Sequence, residues 1–180
     1  EITETFPVPL SATNALVDDS DPATGTLTDN DSAQVTVEDV SSAEGTGLLF
    51  TVTLDNDVQD AFNVDVTLTD VTATGGAATL AWPEDYDNVV AALVFAGTVG
   101  ETQQFTVASL DDIVLEFTET FTVSLDADNT LVVDSDTATG TLTDNDSAQV
   151  TVEDITEIEG TGLLFTVTLD NAVQGGFNVD

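Results

Sequence analysis

The fifteen residues GTLTDNDSAQVTVED occupy positions 25–39 and recur unchanged at 140–154. The identity reaches further: displacing the chain by 115 positions lays residues 1–65 on 116–180 with 15 differences. Solenoid units run to roughly 20–50 residues and bury their apolar side only against neighbours. A unit of 115 residues is long enough to enclose a core of its own, so the period reads as a tandem array of domains. It also sets the expected boundaries. Residues 32–146 form one complete unit, 1–31 the C-terminal part of the repeat before it, and 147–180 the N-terminal part of the repeat after it. The chain thus reads as a window on a longer array.

Within the unit the apolar pattern has period two. Leu48, Phe50, Val52 and Leu54 alternate with Leu49, Thr51 and Thr53, and Phe62, Val64, Val66 and Leu68 alternate with Asn63, Asp65, Thr67 and Thr69. Further strands are expected at AQVTV, AALVFAG, QQFTVASL, ETFTVSL and TATGTLT, each bounded by Gly, Asp, Asn or Pro. No segment combines caps with a 3.6-residue period. About seven strands in such a unit predict an all-β chain of immunoglobulin-like antiparallel sandwiches.

Charge narrows the function. The chain carries 35 acidic residues and no Lys, Arg or His, a formal charge of −35. Ordinary usage would supply on the order of twenty basic residues. Phosphate recognition depends on Lys and Arg, so nucleic acid is excluded as a partner, and so is an anionic membrane surface. No apolar run approaches the roughly 20 residues of a spanning helix, so no direct membrane insertion is expected. Without Cys or His, thiol nucleophiles, disulfides and the usual zinc sites are excluded.

Thr dominates the outward strand positions, whereas the acids gather in connections, most densely in DDIVLEFTE and in the Asp-Asn-Asp at the domain joint. Acidification for salt alone would spread over the sheet faces too. Clustered carboxylates suit a metal with oxygen ligands, and calcium, which takes six to eight oxygens in flexible geometry, suits them best. An Asp-rich turn is also ordinary turn chemistry, and the clusters at 55–60 and 126–128 read that way. No EF-hand loop is present, since the Asp-x-Asp stretches lack its Gly and its Glu.

PEDYDNVVAALVFAGTVGETQQFTVASLDDIVLEFTETFTVSL, followed by TATGTLTDND, resembles the Calx-beta domain. The shared elements, in order, are Asp85-Tyr86, an apolar stretch ending at Phe95, Gly100-Glu101-Thr102, Asp111-Asp112, Glu-x-x-Glu-x-Phe at 116–121, and a terminal acidic triplet at 144–146. The earlier AEGTGLLFTVTL resembles the family's first-strand motif, with its Glu at Glu44. The resemblance covers the whole unit. It implies a β-sandwich that binds Ca2+ in the loops at one end, with Glu44, Asp85, Asp112, Glu116 and Glu119 on ligand positions and Asp111 beside them. Asp144 and Asp146 match the terminal triplet, whose centre is here Asn145, and Ile113 stands where a further Asp is common. The partial copies repeat the pattern at Glu1, Glu4, Asp29, Asp31 and Glu159.

The expectation is a non-catalytic, calcium-binding structural repeat of an extracellular or cell-surface filament, adhesin stalk or matrix fibre. Its partners would be neighbouring copies, as a homopolymer or a long tandem array. GTLT would close one sandwich, and the next would open at once, with DND as a joint that calcium stiffens. The alternative is a regulatory calcium sensor of a membrane transporter or receptor, since Calx-beta domains also occur in sodium–calcium exchangers. Membrane helices in the complete gene would favour the sensor, and many further copies the array. Paired carboxylates can hydrolyse glycosides, and Trp82 near Tyr86 suggests a sugar platform. The acids outnumber any acid–base pair, however, and recur in every repeat, so no enzyme is expected.

Overall fold

The computed structural model describes residues 1–77, 80 and 83–180. Trp82, and with it the sugar platform, lies outside the described residues. Fifteen strands and no helix are found among them. Two strands precede the complete unit: β1 (Glu4–Val8) and β2 (Ala23–Leu27). The unit itself holds β3 (Ala33–Val37), β4 (Val40–Ala43), β5 (Leu48–Leu54), β6 (Phe62–Asp70), β7 (Gly75–Gly76), β8 (Tyr86–Asp87), β9 (Leu93–Phe95), β10 (Thr102–Val107), β11 (Glu119–Ala127), β12 (Val132–Val133) and β13 (Thr137–Thr143). After it come β14 (Val150–Val152) and β15 (Val167–Leu169).

The unit is a two-sheet sandwich. One sheet has the order β10-β5-β3-β12 and the other β4-β13-β11-β6-β9, while β7 and β8 form a small separate pair. Every strand expected from the alternation is present. The stretch 91–97 contracts to three paired residues, ending before Gly97, whose φ of 88° turns the chain. Strands β4, β7, β8 and β12 were not anticipated, because they are two to four residues long and too short to show a period. Chain 33–43 changes sheets midway, β3 joining one and β4 the other. Asp39 holds the corner by accepting the Thr139 N–H at 2.7 Å, and Asp136 accepts the Val37 N–H at 2.9 Å.

The inward faces are those that the alternation marks. Leu48, Phe50, Val52 and Leu54 of β5 are fully buried, whereas Leu49 between them is exposed. The Phe50 ring stacks on Phe105 at 5.1 Å, and Tyr86 stacks on Phe121 at 4.2 Å. The Tyr86 hydroxyl, carried into the core, donates to Asp70 Oδ1 at 2.6 Å, and burial pushes its pKa up. The turn expected at 126–128 starts later: β11 runs to Ala127, so Asp126 lies within the strand opposite Asp65, and only Asp128 stands in the bend beyond it. Asp128 accepts both the backbone and the side-chain N–H of Asn63, at 2.8 and 2.9 Å, while Asp55 accepts the Gln34 N–H at 2.6 Å.

The flanking pieces repeat the same pairings. Phe6 faces Gly25 across β1 and β2 as Phe121 faces Gly140 across β11 and β13. In both places the aromatic ring lies over the glycine, where a Cβ would overlap it. Overpacking a core costs about 1–3 kcal/mol. Gly140→Ala is therefore expected to lower unfolding stability by about that amount in urea denaturation, and an unchanged midpoint would show that the ring is not confined.

Candidate metal centre

Two strands that run parallel and stop together bring the first acids into contact. Strand β4 pairs with β13 in parallel, with Ala43 opposite Thr143. The next residues, Glu44 and Asp144, therefore emerge side by side, joined by a 3.1 Å bond from the Glu44 N–H to the Thr143 carbonyl. Asp146 turns back toward them, its N–H donating to Asp144 Oδ1 at 3.1 Å. Glu44, Asp144 and Asp146 thereby offer three carboxylate oxygens within 4.8 Å of one another.

A second trio, Asp85, Glu116 and Glu119, meets the same distance. Glu119 is the first residue of β11, opposite Leu142 of β13, and is buried. Asp85 precedes β8 and is held by its own backbone and side chain: its N–H donates to the Thr74 carbonyl at 2.8 Å, and its Oδ2 accepts the Thr74 N–H at 2.6 Å. Glu44 and Asp144 of the first trio and all three residues of the second line one cleft, where Asp112 also stands.

Eight of the candidate residues lie in the complete unit, and six of them make up the trios. Asp112 lines the shared cleft, with its Oδ1 accepting the Val114 N–H at 2.7 Å. Asp111 is exposed and lies aside, 3.5 Å from the Asn145 amide. In the preceding piece Glu1, Glu4, Asp29 and Asp31 line a cleft of their own, and the terminal amine sits 3.2 Å from Asp29. Glu159 belongs to neither trio. Sequence reasoning assigned no role to Asn145. Its backbone N–H donates to Glu44 Oε1 at 3.2 Å and its side-chain amide to the Glu44 carbonyl at 3.3 Å. Its place in the acidic triplet was the only available signal.

The electrostatics follow from burial without a counter-charge. Desolvation, together with the nearby Asp144 and Asp146, raises Glu44 to about 7, against the smaller opposing effect of the Asn145 N–H. Desolvation first, and then the charges of Asp85, Glu119, Asp112 and Asp144, raise Glu116 to about 7. Glu119 is raised for the same leading reason. At an effective dielectric near 20, each close like-charged pair opposes ionisation by on the order of a few kcal/mol. Asp146 Oδ2 is buried and has no hydrogen-bond partner among the described residues. Such an orphaned acceptor is costly unless something positive meets it. The donors are all oxygens, with no nitrogen or sulfur ligand, and therefore fit a hard divalent cation.

No family model and no curated protein sequence matches the chain. Solved structures of Calx domains are similar. The apo form of the Calx CBD1 domain matches with a TM-score of 0.52 and 21% identity, over 64% of this chain and 100% of that one. CBD12 from CALX1.2 matches with a TM-score of 0.51 and 22% identity, over 63% of this chain and 46% of that one. At these identities the likeness shows the fold, an immunoglobulin-like β-sandwich of the Calx type.

The raised carboxyls set a pH dependence for the cation-free protein. Glu44 and Glu116 keep their protons up to about pH 7 when folded, but release them near 4.5 when unfolded. The folded state thus binds more protons across this window, and its stability falls as pH rises through it. In chelator the melting temperature should decline between pH 5 and pH 8. Glu44→Gln with Glu116→Gln should flatten the decline, and a profile that rises over the same range would contradict the arrangement of charges.

Proposed function

We propose that the chain is a non-catalytic, calcium-binding structural repeat of an extracellular filament, adhesin stalk or matrix fibre, in which calcium stiffens both the sandwiches and the joints between them. One observation carries this reading: five carboxylates of the two trios, Glu44, Asp144, Asp85, Glu116 and Glu119, line a single cleft in a chain that has no basic side chain. Glu44, Asp144 and Asp146 would hold one ion, and Asp85, Glu116 and Glu119 another, with Asp112 between them. Calcium suits such sites because it accepts six to eight oxygens, carbonyls and water among them, without strict geometry. A bound divalent ion would supply the positive charge that the chain lacks.

The position of the cleft supports the mechanical part. Asp144 and Asp146 belong at once to the first trio and to the connection between β13 and β14. A ligand held by them therefore bears on the path of the chain into the next repeat. The tandem period supports an array whose partners are further copies of the same unit. A surface this acidic suits a calcium-rich exterior. The sensor alternative calls for the same chemistry in the cleft but a different setting, and the complete gene separates the two.

Calcium should raise the melting temperature strongly, whereas sodium chloride at equal ionic strength should do little. A ligand that binds only the folded state stabilises it by about 2.7 kcal/mol at a hundredfold excess over its dissociation constant. Full recovery with sodium alone would point to charge screening in place of sites. In titration calorimetry Glu116→Gln with Glu119→Gln should weaken calcium binding, while Asp126→Asn with Asp128→Asn should leave it intact. Equal losses would refute the assignment. Three or more repeats should scatter X-rays as a stiff rod in millimolar calcium and as a more flexible chain in chelator; identical profiles with calcium bound would mean that packing alone sets the joint.

A further inference from the structure

The connection after β5 is built twice, and each time it reaches into the repeat before it. In the complete unit Asn56 Nδ2 donates to the Ser32 carbonyl at 3.1 Å, and in the following piece Asn171 Nδ2 donates to the Ser147 carbonyl at 2.8 Å. Asp60 and Gly175, 115 positions apart, share a left-handed backbone with φ of 68° and 76°. Between these fixed points lies Gln59 in one copy and Gln174 in the other. Gln59 Oε1 accepts the Ile2 N–H at 3.1 Å, and Gln174 Oε1 accepts the Phe117 N–H at 3.2 Å. Ile2 and Phe117 are also 115 positions apart, so the same bond crosses both joints.

The second joint shows what this contact serves. Leu115 and Val173 form a parallel β-bridge. The Leu115 N–H donates to the Ala172 carbonyl at 2.9 Å, and the Gln174 N–H to the Leu115 carbonyl at 2.8 Å. The other end of the Gln174 amide, Nε2, donates to Glu119 Oε1 at 2.7 Å. One cavity is bounded by Asp85, Glu116 and Glu119 on one side and by Val173 and Gln174 on the other. The loop of the following repeat thus covers the second trio and fixes one of its three carboxylates.

We propose that Gln174 is a positioning residue through which the following repeat docks on the Asp85, Glu116 and Glu119 site and orients Glu119 for a cation, so that this site is complete only when the next repeat is seated. Gln59 repeats the backbone half of this contact toward the preceding piece, through the Ile2 N–H. A primary amide suits the task because it accepts from a backbone N–H with its oxygen while donating to a carboxylate with its nitrogen. A glutamate in its place would add another negative charge, and a leucine would offer neither bond. The comparison of the two copies agrees: positions 57, 60 and 61 differ from 172, 175 and 176, yet Val58-Gln59 is repeated as Val173-Gln174. Because docking and cation binding share Glu119, each should strengthen the other by the same factor.

The inference rests on the calcium reading, and the test separates the two. On the full chain, hydrogen exchange at the Phe117 amide reports docking, and calorimetric titration with calcium chloride reports the site. Gln174→Ala should speed exchange at Phe117 and weaken one class of calcium sites about tenfold, the size expected for losing a hydrogen bond to a charged group. In a double-mutant cycle the tenfold loss should persist in a Glu44→Gln background and vanish in a Glu119→Gln background. Gln174→Glu, which keeps the length but not the donor, should lose Phe117 protection in chelator and regain it in millimolar calcium. Unchanged exchange in Gln174→Ala would overturn the docking role. Faster exchange with unchanged or tighter calcium binding, or a loss equally large in the Glu119→Gln background, would overturn the link to the site. Absence of calcium binding in the unmutated chain would sink the calcium reading itself, and the proposed orientation of Glu119 with it.

Discussion

Strands β4 and β13 lie side by side and point the same way, which is uncommon in a sandwich whose other long pairings are antiparallel. Parallel partners end at the same edge. Glu44 and Asp144, each one residue past its strand, therefore leave together, and the turn through Asn145 folds Asp146 back onto them. The neighbouring antiparallel pairing of β11 with β13 then sets Glu119 opposite Leu142, two positions before Asp144. The first trio consequently hangs from β13, with Glu119 of the second on the neighbouring strand, and β13 leads directly into the next repeat. The site, the joint and the acidity of the chain meet at one edge of one strand.

With no Lys, Arg or His, the carboxylates divide by what satisfies them. Several connections use a carboxylate as an acceptor for backbone N–H groups. Glu101 accepts from Ala96, Gly97 and Thr98 and also from the Gln103 side chain, and these bonds, led by Ala96, hold its pKa down. Asp134 likewise accepts the Ala127 N–H at 2.8 Å. In the trios the balance is reversed: burial and like charge outweigh the few donors available, and Glu44, Glu116 and Glu119 are raised. The same residue types thus serve as turn fasteners where N–H groups converge and are left with raised pKa values where they do not.

The joint carries two kinds of bond. Carboxylates that repel one another hold it open to a divalent ion, while a neutral backbone bridge and one glutamine amide set where the next repeat sits. The two meet at Glu119, which belongs to the second trio and is held by the glutamine amide.

The sequence by itself determined the period, the all-β class and the inward face of each long strand. A repeat of 115 residues is visible by displacement, and alternation along Leu48, Phe50, Val52 and Leu54 can bury only one face of a strand. It also named the acids that meet in the trios, through the resemblance of their order to a known domain. Only the tertiary structure decided how those acids divide. Asp111 and Asp112 are neighbours in sequence, yet Asp112 lines the cleft and Asp111 lies outside it, a division set by the irregular loop they share and by no local pattern. Strands β4 and β12 were likewise beyond reach, being too short for a period and defined by their parallel partners. Gln59 and Gln174 carry no motif at all. Their role arises from the contact between one repeat and the next, and a contact between segments 55 or more residues apart is fixed by folding, since no local pattern encodes it.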